Sequence, residues 1–230
     1  MIPKRVRAQA FAAAVLTTAI ALLVPPLLMV NGMRVLANDW FVRFEYGRDG
    51  FPPDRYGMPR SERTRLALIG LRSIEPREHA GGELLRQARL RDGTPAFRAK
   101  ELRHMSDVRR IVGLLFPLQP AILALVAAIA TAGTTAPRLV ARGLQVGAAL
   151  TLALAAVTAI LVALDAVAFL DGFHTLFFEG ESWRFAETDT LRRLYPDRFW
   201  SDTAILLGIG AAGQALLIGA AATAWRRRQA

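Results

Sequence analysis

Hydrophobic positions along this chain gather into four long runs separated by polar segments. Phe11–Val30, Ile111–Ala132, Leu144–Leu170 and Thr203–Trp225 each approach or exceed the about 20 residues a helix needs to cross a hydrocarbon core. The pattern predicts an all-α membrane protein, a single integral domain over residues 1–230, with four transmembrane helices. Pro25, Pro26, Pro117 and Pro120 fall within these runs; membrane helices tolerate proline near their ends or beside neighbouring helices. A cleaved signal peptide competes for the first run, because "MIPKRVR" puts basic residues ahead of it. The run exceeds the about 7–15-residue core of a signal peptide, so a retained helix is the expectation.

The polar segments are residues 31–110, 133–143 and 171–202. The first, long segment reads as helical and irregular. "FPPDRYGMP" has proline and glycine at turn density. "SERTRLALIGLRSIEP" predicts a short amphipathic helix with Ser61 as N-cap and Pro76 soon after its end. A second short helix is expected around Glu83–Arg91, broken by Gly93–Pro95, and "FRAKELRHMSDVRRIV" runs at helical spacing into the second span. No strand, repeat or low-complexity tail stands out.

Composition and charge refine this picture. The 230 residues are 53% hydrophobic, with a mean hydropathy of +0.29, too apolar for an ordinary soluble domain of this length. The net charge is +10. Short basic flanks orient membrane helices toward the cytoplasm. Lys4, Arg5 and Arg7 precede the first span, Arg138 and Arg142 lie between the second and third, and "WRRRQA" ends the chain. With four spans all three fall on one side, which places both termini in the cytoplasm and segments 31–110 and 171–202 on the outer face. The arginines of the first outer segment alternate with carboxylates, which reads as a solvated surface against lipid headgroups, so no nucleic-acid partner is expected. The absence of cysteine excludes disulfides, thiol nucleophiles and thiolate zinc sites.

Three histidines carry the remaining chemistry. His104 precedes the second span and His174 follows the third, so both imidazoles belong near the same membrane surface. His79 reads as a surface residue. Glu101 and Asp107 flank His104 at helical spacing, and Asp171 stands three residues before His174. A carboxylate beside an imidazole fixes its tautomer and raises its basicity. Asp165 lies inside the third span, where a carboxylate is costly and marks a function or a pairing. Two imidazoles of reference pKa ~6.5 can remove a proton from an attacking group and stabilise an oxyanion, while Phe173, Phe177 and Phe178 offer a surface for acyl chains. Other readings stay open on spacing alone: an ordinary aromatic belt with amphipathic histidines, haem ligation by two histidines, a partner-binding protein, or a metal held by Asp and His. "GIGAAG", Gly208–Gly213, matches a dinucleotide fingerprint but lies inside the fourth span, where small residues pack against a neighbouring helix. Ser106 and Ser182 form no nucleophile elbow.

A resemblance adds the reaction. "ELRHMSDVRRIV", "FHTLFFEGESWRFAETDTLRRLYPDRFWSD" and "RYGMPRSERTRLALIGLRSIEP" resemble the signature segments of the bacterial lipoprotein intramolecular transacylases, four-span membrane proteins. The resemblance implies an enzyme that moves the sn-2 acyl chain of a diacylglyceryl-cysteine lipoprotein onto the cysteine α-amine, giving a lyso-form lipoprotein. It implies His104 and His174 as the essential pair, a diacylated lipoprotein as substrate and membrane lipid as surroundings. The reactive cysteine belongs to the substrate. Ester to amide is downhill, so no cofactor or metal is expected. Supporting roles for Glu101, Asp107, Asp171, Trp183 and Asp189 follow from proximity and chemistry. A lipid-ester hydrolase is the rival of the same chemical class.

Overall fold

A computed structural model describes residues 4–78, 80–132, 137–178 and 180–229. His79 and residues 133–136 of the link between the second and third spans lie outside the described residues. Nine helices run through the described chain: α1 (Lys4–Leu36), α2 (Asp39–Gly47), α3 (Arg60–Ile74), α4 (Gly81–Gln87), α5 (Ala99–Ala132), α6 (Pro137–Leu164), α7 (Ala166–Phe177), α8 (Thr190–Leu194) and α9 (Asp197–Arg227). Among the described residues the sole strand-like feature is an isolated bridge between Arg89 and Pro95. Four helices, α1, α5, α6 and α9, are long and apolar enough to cross a membrane. The protein is all-α and spans the membrane more than once. Pro25 and Pro26 lie inside α1, and Pro117 and Pro120 inside α5, without ending either helix.

The described chain forms two compact units where the sequence reads as one domain over 1–230. The first unit comprises residues 1–33, 117–164 and 207–230. Its core is Ile20, Val24 and Leu28 against Val140, Ala148 and Ala215. Two glycines of α6 set the spacing. A Cβ at Gly143 would stand 2.8 Å from the Ile20 Cβ, and one at Gly147 would stand 2.7 Å from the Val24 Cβ. Gly143 and Gly147 are one helical turn apart, the small-xxx-small arrangement by which membrane helices bring their backbones together. The glycines of "GIGAAG" do not serve this purpose: a Cβ at Gly208, Gly210 or Gly213 meets nothing within 4 Å, which corrects their reading as close-packing positions. Amide side chains add polar links: Gln119 Nε2 donates to Asn31 Oδ1 at 2.7 Å, and Asn31 Nδ2 donates to Gln214 Oε1 at 2.5 Å.

The second unit comprises residues 34–116 and 165–206. Its core joins Phe41, Val42 and Tyr46 of α2, Leu66 and Ala67 of α3, Leu85 of α4, Met105 of α5 and Leu191 and Leu194 of α8. Buried polar groups are tied to backbone. Arg63 is buried, donating to the carbonyls of Arg193 and Pro52. Tyr46 and Tyr195 donate to the carbonyls of Leu194 and Ala67. Asp54 accepts from the amides of Tyr56 and Met58 and from Arg193 at 3.0 and 2.9 Å, closing the proline- and glycine-rich turn. These bonds explain why a segment with little propensity for regular structure holds one shape: each buried donor or acceptor left unmade would cost about 1–3 kcal/mol.

Local boundaries differ from the sequence pattern in four places. Pro59, not Ser61, occupies the N-cap of α3, and the Ser61 hydroxyl accepts from Arg91. The second short helix is Gly81–Gln87, ahead of the expected Glu83–Arg91. Helix α2 was not apparent in the sequence pattern. The third apolar run is not one helix over 144–170: it breaks at Asp165, whose backbone is extended at φ −158°, ψ 94°.

Candidate active site

Asp165 builds the platform for His174. Its carboxylate accepts from the amide of Ala168 at 2.9 Å, capping α7. It is thus a helix cap at a break between two helices, where the sequence pattern runs on as one. α7 buries none of its residues and leaves Val167, Leu170, Phe173, Leu176 and Phe177 exposed. The chain leaves α7 at Phe178, whose amide donates to the His174 carbonyl at 2.8 Å. Gly180, at φ +66°, then takes the left-handed conformation that a side chain would disfavour. His174 Nδ1 lies 2.7 Å from the Leu170 carbonyl. A carbonyl only accepts, so Nδ1 carries the proton and Nε2 holds the free lone pair of the neutral ring.

His104 comes from the polar first turns of α5, ahead of the apolar stretch that begins at Ile111. Its ring packs at 5.0 Å on Phe178 and edge-on at 5.2 Å on Phe185. His174 packs at 5.8 Å on the same Phe178 and stacks at 4.5 Å and 20° on Trp183. One phenyl ring therefore touches both imidazoles, which are 70 residues apart in sequence. His104 Nδ1 is buried and has no partner among the described residues. Burial first, and the neighbouring His174 second, push the His104 pKa down to about 4 against an opposing pull from Asp107. His104 is thus neutral at physiological pH.

The carboxylates are placed differently from the sequence expectation. Glu101 is fully buried and does not partner His104. It accepts from the amide of Arg98 at 2.7 Å and the amide of Leu191 at 2.6 Å. Asp189 accepts from Arg98 Nη1 at 2.7 Å and the amide of Ala186 at 2.9 Å. Together they fasten the segment carrying Phe185 to α5, one turn before His104. Asp171 pairs with Arg184 at 3.4 Å rather than contacting His174. Arg184 also holds Glu181 at 2.8 Å and lies over the Trp183 ring. Among the described residues Asp107 has no hydrogen-bond or ion-pair partner, and it acts on His104 through its charge. Phe185, Arg98 and Leu191 were absent from the sequence expectation. Phe185 acts through its ring, Leu191 through its backbone amide and Arg98 through both its amide and its guanidinium, links that no residue spacing reveals.

Residues 83–200 match the family of the lipoprotein intramolecular transacylase Lit. An uncharacterized protein of Aquifex aeolicus is 33% identical over 176 residues, covering 76% of this chain and 78% of that one. The in meso structure of the membrane integral lipoprotein intramolecular transacylase Lit from Bacillus cereus superposes with a TM-score of 0.80 at 17% identity, over 96% of this chain and 98% of the other. A histidine-to-arginine variant of it gives 0.78 at 16% identity, over 98% and 97%. At such identities the structural likeness speaks for the fold, and the sequence match over both histidine-bearing segments carries the assignment. The chain belongs to the lipoprotein intramolecular transacylase family and is an acyltransferase of the membrane.

Proposed function

We propose that this enzyme moves the sn-2 acyl chain of a diacylglyceryl-cysteine lipoprotein to the α-amine of the same cysteine, with His104 and His174 as the catalytic pair. The observation that carries this reading is the pair of imidazoles on one phenyl ring, one with its tautomer fixed and the other neutral. His174 Nε2 accepts a proton from the α-ammonium, whose pKa of about 7.7–8 keeps it mostly charged at neutral pH. The freed amine attacks the ester carbonyl, forming a C–N bond and an oxyanion. His104, sealed at Nδ1, meets that oxyanion through Nε2–H. Collapse breaks the bond to the glycerol oxygen, and the departing alkoxide takes the proton held on His174; the freed imidazole then takes the second proton from the nitrogen and passes it to water. Ammonium and ester thus become amide and alcohol with one proton released to solvent, and no cofactor enters the balance.

Amine and ester belong to one molecule, so the site mainly holds a folded conformer in which they meet. Orientation of this kind contributes up to about 7–11 kcal/mol in the best cases, and acid–base help a further ~10²–10⁴-fold in rate. The exposed apolar side chains of α7 suit acyl chains. The basic flanks support cytoplasmic termini and a site on the outer face.

His104→Ala and His174→Ala should each abolish the N-acyl lyso product of a co-expressed reporter lipoprotein while the protein still inserts. Mass spectrometry of the reporter N-terminus reads the outcome. Normal product from either variant refutes the assignment, and free fatty acid in place of product indicates a hydrolase.

A further inference from the structure

Each neighbouring carboxylate among the described residues of the site is already engaged, except one. Glu101 and Asp189 are committed to backbone amides and Arg98. Asp171 and Glu181 share Arg184. Asp107 follows His104 by one turn on α5, is half-buried, and has no hydrogen bond or ion pair to any described residue. Arg103 and Arg110, its guanidinium neighbours along the helix, are exposed and form no ion pair with it. Residues three apart on a helix face each other, with Cβ atoms about 5–6 Å apart. A free carboxylate is thus held one side chain away from an imidazole of the site.

We propose that Asp107 binds the α-ammonium of the lipoprotein's N-terminal cysteine and holds it beside the two imidazoles until it is deprotonated. This rests on the reading of the reaction given above and names the group that recognises the substrate's charged end. The amine arrives as a cation among side chains that include Arg98, Lys100 and Arg184. Arg98 and Arg184 are neutralised by their carboxylate partners, and Lys100 is bonded to the Arg184 carbonyl. Among the described residues of the site, Asp107 is the carboxylate that no hydrogen bond or ion pair occupies. A hydrogen bond to a charged group contributes more than a neutral one, so its loss is measurable even where solvent reaches the pair.

The test compares two synthetic diacylglyceryl-cysteinyl peptides, one with a free α-amine and one N-acetylated. Binding is measured in the His174→Ala background so that the free-amine peptide is not consumed. Asp107→Asn should weaken binding of the free-amine peptide about tenfold and leave the acetylated peptide unchanged, in keeping with the loss of one charge-assisted hydrogen bond. Asp107→Glu, which keeps the charge, should restore most of the difference. Equal loss for both peptides marks a structural role and overturns the proposal, as does no loss for either. The reading of the reaction fails separately, when the unsubstituted enzyme gives no N-acyl product from the free-amine peptide.

Discussion

The 2.7 Å contact between His174 Nδ1 and the Leu170 carbonyl decides which nitrogen of that ring is available for chemistry. The donor is one turn behind its acceptor on α7, so a backbone atom does what a carboxylate was expected to do. Trp183 fixes the other degree of freedom, the tilt of the ring, by lying parallel to it at 4.5 Å. Trp183→Ala should therefore lower kcat by about 10–100-fold, on the scale that a misplacement of order 1 Å costs. Trp183→Phe, which keeps a flat partner, should retain most of the rate. Initial rates with a diacylated peptide and a thermal unfolding profile separate this from loss of folding. The same scale shows where sequence reasoning was strong and where it failed. That His104 and His174 share a neighbourhood was legible because histidines are scarce here and each of the two borders an apolar run. The partners of Glu101 were not, because i,i+3 spacing points to His104, whereas the buried carboxylate turns to the Leu191 amide, ninety residues away. Nothing in a spacing rule favours a backbone donor so distant in sequence.

Among the elements, α6 depends most on what it lacks. Gly143 and Gly147 leave room for Ile20 and Val24 of α1, and any side chain there would collide with atoms that cannot withdraw. Gly147→Leu should destabilise the protein by about 1–3 kcal/mol, the usual penalty for overpacking. Gly210→Ala, where a Cβ meets nothing, should be close to neutral. Thermal unfolding in detergent compares the two. Length and apolarity made α1, α5, α6 and α9 readable, since few structures other than a helix satisfy the backbone in lipid. The choice of packing glycines was not readable, because "GIGAAG" is the richer of the two in small residues, yet "GLQVG" is the stretch that meets a neighbour. α2 was missed for a different reason: a nine-residue helix between a span and a turn carries too few apolar positions to establish a period.

For the whole molecule, the basic flanks predict the side of the membrane on which the histidines lie. The chain has no cysteine, so one introduced thiol reports without background. Arg55→Cys, at a position whose side chain is 80% exposed, should react with a membrane-impermeant maleimide in intact cells. Arg228→Cys, exposed near the end of the chain, should react only after permeabilisation. The reverse pattern would place the histidines on the cytoplasmic side and refute the proposed topology. The interruption at Asp165 also bears on how such a protein tolerates change. An α-helix turns about 100° for each residue added, so a single insertion in an unbroken rod would swing every downstream side chain to a new heading. Here the rod ends before the imidazole is reached and a fresh one starts from its own cap. The bearing of His174 is thus counted from Asp165, nine residues ahead of it, and not from the start of α6.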